Sequence, residues 1–208
     1  MKTARLKTLV KNMPTNINKE LRLKYKKIRD EISSDEHLLL SQHITTQLKA
    51  LLESDFKRAN IFLCFYPFKN EVGLLSFYQY LLDENKELYF PVSNGSNHEL
   101  KFYRVLDLAK DFHKGFRDIM EPNDDLPWLS DFSGAIAITP GLIFDEKCNR
   151  CGYGAGFYDR FFAKHEYITK IGVCFEQQMV NELDINDWDI PLDYIVTNKR
   201  LIKRGDGL

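Results

Sequence analysis

The chemistry of this chain concentrates in one run, Arg150-Cys151-Gly152-Tyr153-Gly154-Ala155-Gly156-Phe157-Tyr158-Asp159. Glycines at alternate positions let successive backbone N–H groups converge on one anion. The run leads into a helical pattern from about Phe157 to His165, and a helix N-terminus carries unsatisfied N–H groups and partial positive charge. A phosphate placed there would be stabilised by both, and Arg150 adds a planar cation matched to phosphate oxygens. The spacing is neither that of the P-loop nor that of the dinucleotide fingerprint, and the plain alternative is a tight structural turn. Asp159, in the first turn of the helix, either compensates the helix dipole or serves as a magnesium ligand, with Asp187, Asp189 or Asp193 as sources of a second carboxylate.

Three further groups could join such a site. Arg22, Lys26 and Arg29 form a basic stripe at helical spacing, which reads either as a solvated face or as cations folded back onto nucleotide phosphates. Glu71 stands just past an apolar strand at the start of a helix, the position of a ligand-contacting residue or of simple dipole compensation. Cys148 and Cys151 make a C-x-x-C pair, but no second pair completes a zinc ribbon, so chance placement in a loop is the better reading. The histidines lack H-x-x-x-H spacing, and no G-x-S-x-G elbow is present.

The elements that must hold these residues follow from periodicity. Leu21, Tyr25, Ile28 and Ile32 recur as one helical stripe, and Ser33 with Glu36 opens a second helix that would bury Leu40, Ile44, Leu48 and Leu51. Strands are expected at Ile61 to Tyr66, Glu87 to Val92, Leu100 to Val105, Ala135 to Thr139, Lys170 to Phe175 and Tyr194 to Thr197. Leu74, Tyr78, Leu81 and Leu82 share a helical face, and Gln177 to Leu183 reads as a short helix. Leu106 to Phe132 is expected to be mostly loop, broken by Pro122 and Pro127. Strands alternating with helices predict an α/β domain with a largely parallel sheet covered on both sides, which binds ligands beyond the carboxyl ends of its strands.

At 208 residues and 44% apolar, the chain suits one domain with a well-buried core. A formal net charge of −1 argues against a whole-protein electrostatic footprint for nucleic acid. Four cysteines at irregular positions are too few for a disulfide framework and imply a reducing compartment. The longest apolar runs fall short of a membrane span, and the N-terminus lacks the apolar core of a secretory signal. Lys2, Arg5, Lys7 and Lys11 precede the first acidic residue, Glu20, but such a segment is short and poor in Arg and Ser for a transit peptide. The expectation is a cytoplasmic monomer acting on small molecules, with no nucleic-acid or membrane partner.

Taken in order along the chain, these residues resemble the 5-formyltetrahydrofolate cyclo-ligase family, also called methenyltetrahydrofolate synthetase. The resemblance rests on the basic helix Lys19 to Ile32, Tyr66-Pro67 with Glu71-Val72, Phe90-Pro91-Val92 with Leu100-Lys101-Phe102, and Ile119-Met120-Glu121-Pro122. It continues through Thr139-Pro140-Gly141-Leu142-Ile143-Phe144-Asp145, Arg150 to Arg160, Gln178, and Asp189 through Asp193 to Thr197; Pro140 to Arg160 is its most specific part. It implies a three-layer α/β/α fold with a Rossmann-like sheet after two N-terminal helices, in a single domain from residue 18, with residues 1–17 as an unpacked extension. It further implies conversion of 5-formyltetrahydrofolate and ATP to 5,10-methenyltetrahydrofolate, ADP and phosphate, with magnesium. On the matching positions, ATP falls to Lys19, Arg22, Lys26, Arg150, Gly152, Gly154, Ala155, Gly156, Phe157 and Tyr158, and folate to Tyr66, Glu71, Tyr153, Gly154, Ala155, Gly156 and Phe157. Arg150, Tyr153 and Asp159 are the expected catalytic residues, and Asp159 and Asp189 the metal ligands. The chain departs from the pattern at Asn18, where a lysine is usual, at Cys148 and Cys151, where Gly and Leu are usual, and at Trp188, which stands for a frequent His. Those departures motivate the other reading, a catalytically weak relative that binds nucleotide or folate as a sensor or partner module.

Overall fold

The structure, a computed structural model, describes residues 14–115 and 118–205, with side chains described from residue 19. Helix α1 (Pro14–Asp30) and helix α2 (Ser34–Asp55) precede the first strand, as the two apolar stripes require. Ser33 caps α2 by accepting the Glu36 N–H on its Oγ at 3.3 Å, one half of the expected capping box. Of the expected α2 face, Ile44, Leu48 and Leu51 are buried, while Leu40 packs against the same cluster from its edge.

The central sheet has seven strands in the order β12 (Leu201–Lys203), β11 (Tyr194–Val196), β9 (Thr169–Val173), β6 (Ile136–Thr139), β1 (Ile61–Leu63), β2 (Glu87–Asn94), β3 (Glu99–Val105). The five inner strands pair in parallel, and the two edge strands pair antiparallel to their neighbours. Helices cover both faces, and the strand residues alternate between them with the period of a pleat. Phe62, Leu88, Phe90, Ile136, Ile138 and Val196 face α2 and α3 (Leu75–Asp83). Leu63, Tyr89, Ala135, Ala137 and Ile195 face α4 (Phe157–Lys164), which presents Phe161 and Phe162. This is the expected three-layer α/β/α arrangement.

From β1 the chain winds outward through β2 to β3, then returns to lay β6 on the other side of β1 and continues to β9, β11 and β12. The order therefore reverses between β1 and β6. At such a switch point the connections leave in opposite directions and open a crevice above the strand ends.

Four pieces differ from the periodicity reading. The stretch expected as loop carries a small hairpin, β4 (Phe112–Lys114) with β5 (Met120–Pro122). The expected helix Gln177 to Leu183 is a single 3₁₀ turn, Glu176–Gln178, followed by β10 (Met179–Val180). That short strand joins β7 (Ile143–Asp145) and β8 (Arg150–Cys151) in a three-stranded sheet. A two- or three-residue strand has no room for a period, which is why this sheet and β12 escape a periodicity search. The small sheet has a definite purpose in the packing, because Leu142, Ile143 and Leu183 form a separate apolar cluster against Leu21 and Tyr25 of α1. It thereby holds the basic helix across the crevice. Helix α1 begins at Pro14, ahead of the boundary expected at residue 18, and the expectation for residues 1–13 lies outside the described residues.

Candidate active site

The glycine-rich run leaves β8 and enters α4 as anticipated, and its backbone is committed to an unusual path. Gly154 has φ +102 and Gly156, the N-cap of α4, has φ +65, conformations that a Cβ disfavours. No side chain caps α4 at Gly156. Among the described residues, none of the N–H groups of Tyr153, Gly154, Ala155 and Gly156 donates to a protein acceptor. The first turn of α4 adds further N–H groups without intrahelical partners. Ala155 instead offers its carbonyl, which accepts from Arg160 Nη2, and Arg160 Nε donates to His98 O at 3.5 Å, so the β2–β3 turn is tied to the loop. Phe157 lies against the His98 ring, with centroids 5.4 Å apart.

Arginines flank this loop on two sides. From α1, Arg22 Nε donates to Gly152 O at 2.9 Å. Its guanidinium lies so close to Gly154 that a Cβ there would sit 3.5 Å from Arg22 Cζ. From β8, Arg150 Nη2 reaches both Asp159 oxygens at 3.1 Å, and its guanidinium carbon lies 5.4 Å from the Tyr158 ring centre. The Arg150 side chain is only 5% exposed and the Asp159 side chain 17%. Asp159 is thus more than a dipole-compensating residue: it is the ionic partner that allows Arg150 to be buried beside the loop. Burial pushes the Tyr158 hydroxyl above its ordinary range, against the opposing Arg150 charge.

A second cluster sits at the switch point. Glu71 is buried, accepts the Tyr153 hydroxyl on Oε1 at 2.7 Å, and accepts the Phe68 N–H on Oε2 at 3.0 Å. Tyr153 spans two environments, its ring edge half exposed and its hydroxyl turned inward to the carboxylate. Burial raises the Glu71 carboxyl above the usual range, and the Phe68 N–H, the Tyr153 hydroxyl and the Arg29 charge pull it back. Burial and the nearby Glu71 charge push the Tyr153 hydroxyl up in turn.

The remaining expected residues divide. Ile190 N donates to Asp159 Oδ1 at 3.4 Å, which brings the segment containing Asp189 to the start of α4. Asp189 itself accepts from Asn186 N and Nδ2 on Oδ2, at 2.7 and 3.0 Å. Together the two carboxylates are hard oxygen donors of the kind magnesium takes alongside water and substrate phosphate, so the donor chemistry fits that ion. Lys19 and Lys26 are exposed, and Lys26 pairs with Asp30 of its own helix at 3.3 Å. Tyr66 is half-buried with its ring on Phe112 at 4.8 Å. Cys148 is buried in the core and Cys151 packs against the small apolar cluster, and no group of three or more metal-ligating side chains occurs among the described residues.

Two residues at the site carry no individual role in the sequence reading, where Gln178 stands only among the positions of the resemblance and Arg29 only in the basic stripe. Gln178 is buried, donates Nε2 to Gly141 O and Leu142 O at 3.0 and 2.9 Å, and accepts the Phe175 N–H on Oε1 at 3.0 Å, fixing the crevice wall. Arg29, third in the basic stripe, enters the crevice. Its spacing of seven from Arg22 is two helical turns and was the available signal.

The model of the 5-formyltetrahydrofolate cyclo-ligase family matches residues 14–198. The chain belongs to this family. Among curated relatives of the cyclo-ligase family, the 5-formyltetrahydrofolate cyclo-ligase of Haemophilus influenzae is 28% identical over 184 residues, covering 86% of this chain and 97% of its own. The probable 5-formyltetrahydrofolate cyclo-ligase of Schizosaccharomyces pombe is 27% identical over 183 residues, covering 81% and 89%. Of solved cyclo-ligase structures, the 5,10-methenyltetrahydrofolate synthetase of Aquifex aeolicus superposes with a TM-score of 0.80 at 32% identity, over 92% of this chain and 95% of that one. The Mycoplasma pneumoniae synthetase, at 22% identity and a TM-score of 0.71, shares the fold over 87% of this chain and 98% of that one. Among the described residues no helix is long and apolar enough to cross a membrane.

Proposed function

We propose that this chain converts 5-formyltetrahydrofolate to 5,10-methenyltetrahydrofolate at the expense of ATP, with the triphosphate on the glycine loop and the folate at Glu71 and Tyr153. The observation that carries the reading is a loop with unspent backbone donors, set between Arg22 and Arg150 and running into the N-terminus of α4.

The chemistry suits such a site. A formamide oxygen is a poor leaving group, so the formyl oxygen first takes the γ-phosphoryl group and ADP departs. The neighbouring amine of the same folate then attacks the formyl carbon, loses its proton, and phosphate leaves. The attack is intramolecular and needs no protein nucleophile, so the demand on the protein is positioning and charge compensation. Arg22, Arg150 and the N–H groups from Gly152 to Tyr158 receive the phosphates, with Lys19 exposed on the helix that carries Arg22. Lys26, engaged with Asp30, adds positive potential from outside this set. Asp159 and Asp189 would hold magnesium, which offsets phosphate charge when bound. Glu71 and Tyr153 orient the folate, with Tyr66, Phe157 and the backbone from Gly154 to Gly156 completing its surroundings. Arg150, Tyr153 and Asp159 are the catalytic residues of this account. Burial raises the thiols of Cys64 and Cys174, which keeps them unreactive.

The test is the absorbance rise of methenyltetrahydrofolate when purified protein meets 5-formyltetrahydrofolate, magnesium and ATP, with ATP omitted as control. An ATP-dependent rise is expected. Nucleotide binding without any rise would reject the enzymatic reading in favour of a folate- or nucleotide-binding relative.

A further inference from the structure

Arg29 heads the largest fully buried side chains among the described residues, at 2% exposure. A guanidinium is rarely buried unless something answers its charge. Its position follows from α1: two turns beyond Arg22 on the same face, it enters the crevice above β1, β6 and β9, walled by Phe65, Glu71, Pro140, Gly141 and Gln178. Nη1 lies 3.9 Å from Glu71 Oε1, an ion-pair distance too long for a hydrogen bond. Nε and Nη1 donate to no protein acceptor, and the guanidinium carbon lies 5.8 Å from the Tyr153 ring centre.

Both Glu71 oxygens already hold neutral donors, the Tyr153 hydroxyl and the Phe68 N–H, so what Arg29 supplies is charge. The titratable groups facing Glu71 come from every surrounding element. They are Arg29 from α1, His37 from α2 with Nε2 2.7 Å from the Glu71 carbonyl oxygen, Tyr78 from α3, Tyr153 from the glycine loop and Tyr158 from α4. Among these, Arg29 is the permanent cation.

We propose that Arg29 is a positioning residue for folate binding, acting through Glu71: its buried charge holds the Glu71 side chain as an ionised acceptor in register with Tyr153. The inference rests on the reading of Glu71 as a folate contact. Without the cation, a buried carboxyl takes up a proton at higher pH, and one of its oxygens then changes from acceptor to donor. Glu71 would face Tyr153 and the substrate with the wrong polarity.

The experiment is calorimetric titration of the full chain with 5-formyltetrahydrofolate between about pH 6 and pH 9, a span that brackets the expected displacement. Wild type and Arg29→Lys are expected to bind with a flat profile. Arg29→Gln is expected to bind more weakly at the acid end, by about tenfold where the pH lies one unit below the displaced Glu71 value, and to recover towards wild type as pH rises. A loss of the same factor at every pH, or no loss, overturns the proposal. In a Glu71→Gln background, Arg29→Gln is expected to change affinity by less than about threefold, since the charge it answers is gone. A larger loss there overturns the proposal as well. That double variant leaves no lone buried charge, so it serves even where Arg29→Gln alone does not fold. Glu71→Gln binding folate as tightly as wild type would refute the folate-contact reading itself. A weak Glu71→Gln beside a pH-flat Arg29→Gln would refute only the role of Arg29.

Discussion

Replacing Gly154 by alanine puts the phosphate reading of the loop at risk in one step. At φ +102 the residue lies beyond the small left-handed region that other residues visit, so alanine is strained there whatever the space. Space is not the obstacle, because the nearest atom to the added Cβ would be Arg22 Cζ at 3.5 Å, an ordinary contact. The cost is conformational, about 1–3 kcal/mol. Gly154 is exposed and its N–H is unspent, so the unliganded loop can relax to another φ with little loss of stability. A bound triphosphate requires the original path, and the strain then falls on affinity. The expected result is ATP binding weaker by about 5-fold to about 150-fold, with the thermal midpoint nearly unchanged, read by calorimetric titration and thermal unfolding. Gly134→Ala is the control: φ is +72, nothing lies within 4 Å of the added Cβ, and the site is at the opposite end of β6. That variant is expected to lose about 1 kcal/mol of stability and no affinity. ATP affinity of Gly154→Ala within twofold of wild type, or an equal loss in Gly134→Ala, would refute the reasoning.

Other expectations follow from named contacts. Arg150→Ala removes a cation from the triphosphate side of the site and strands Asp159, so ATP affinity is expected to fall by about 10-fold to about 150-fold, well beyond any effect on folate, measured by parallel titrations of the two substrates. Gln178→Ala leaves the Phe175 N–H and two carbonyls of the crevice wall unpaired in the interior; at about 1–3 kcal/mol for each group, urea unfolding is expected to show a loss above about 3 kcal/mol. Burial and the neighbouring Lys164 charge lower the His165 imidazole, which packs on Phe132 and Phe161. A group depressed in this way contributes stability above its unfolded value, near about pH 6.5, and loses it as pH falls through the lower folded value. His165→Phe is therefore expected to lose less thermal stability than wild type between about pH 7 and pH 5; an equal or larger loss would contradict the assignment.

Much of this architecture was legible because long elements carry a period and short ones do not. The stripe from Leu21 and the face from Ile44 to Leu51 specified two helices, and unbroken apolar runs at Ile61, Ala135 and Lys170 specified inner strands covered on both sides. The glycine loop was readable because its residue types have few other uses at that spacing. Partnerships across the fold were not readable: nothing near Asp159 announces Arg150 as its ion pair, and nothing near Glu71 announces Tyr153 or Arg29. Those contacts depend on the return of β6 beside β1 and on α1 lying across the crevice, both set by long-range packing. The small sheet that props α1 escaped for the same reason, its strands being too short for a pattern. Lys26 illustrates the converse, a residue in register with the site stripe whose side chain pairs with Asp30 of its own helix.

The measurement that bears most directly on the central claim is a crystal structure of the full chain with magnesium and a non-hydrolysable ATP analogue. The account predicts the terminal phosphates on the N–H groups between Gly152 and Tyr158, with Arg22 and Arg150 on either side and the metal at Asp159. A nucleotide bound elsewhere, or phosphates turned away from this loop, would contradict it.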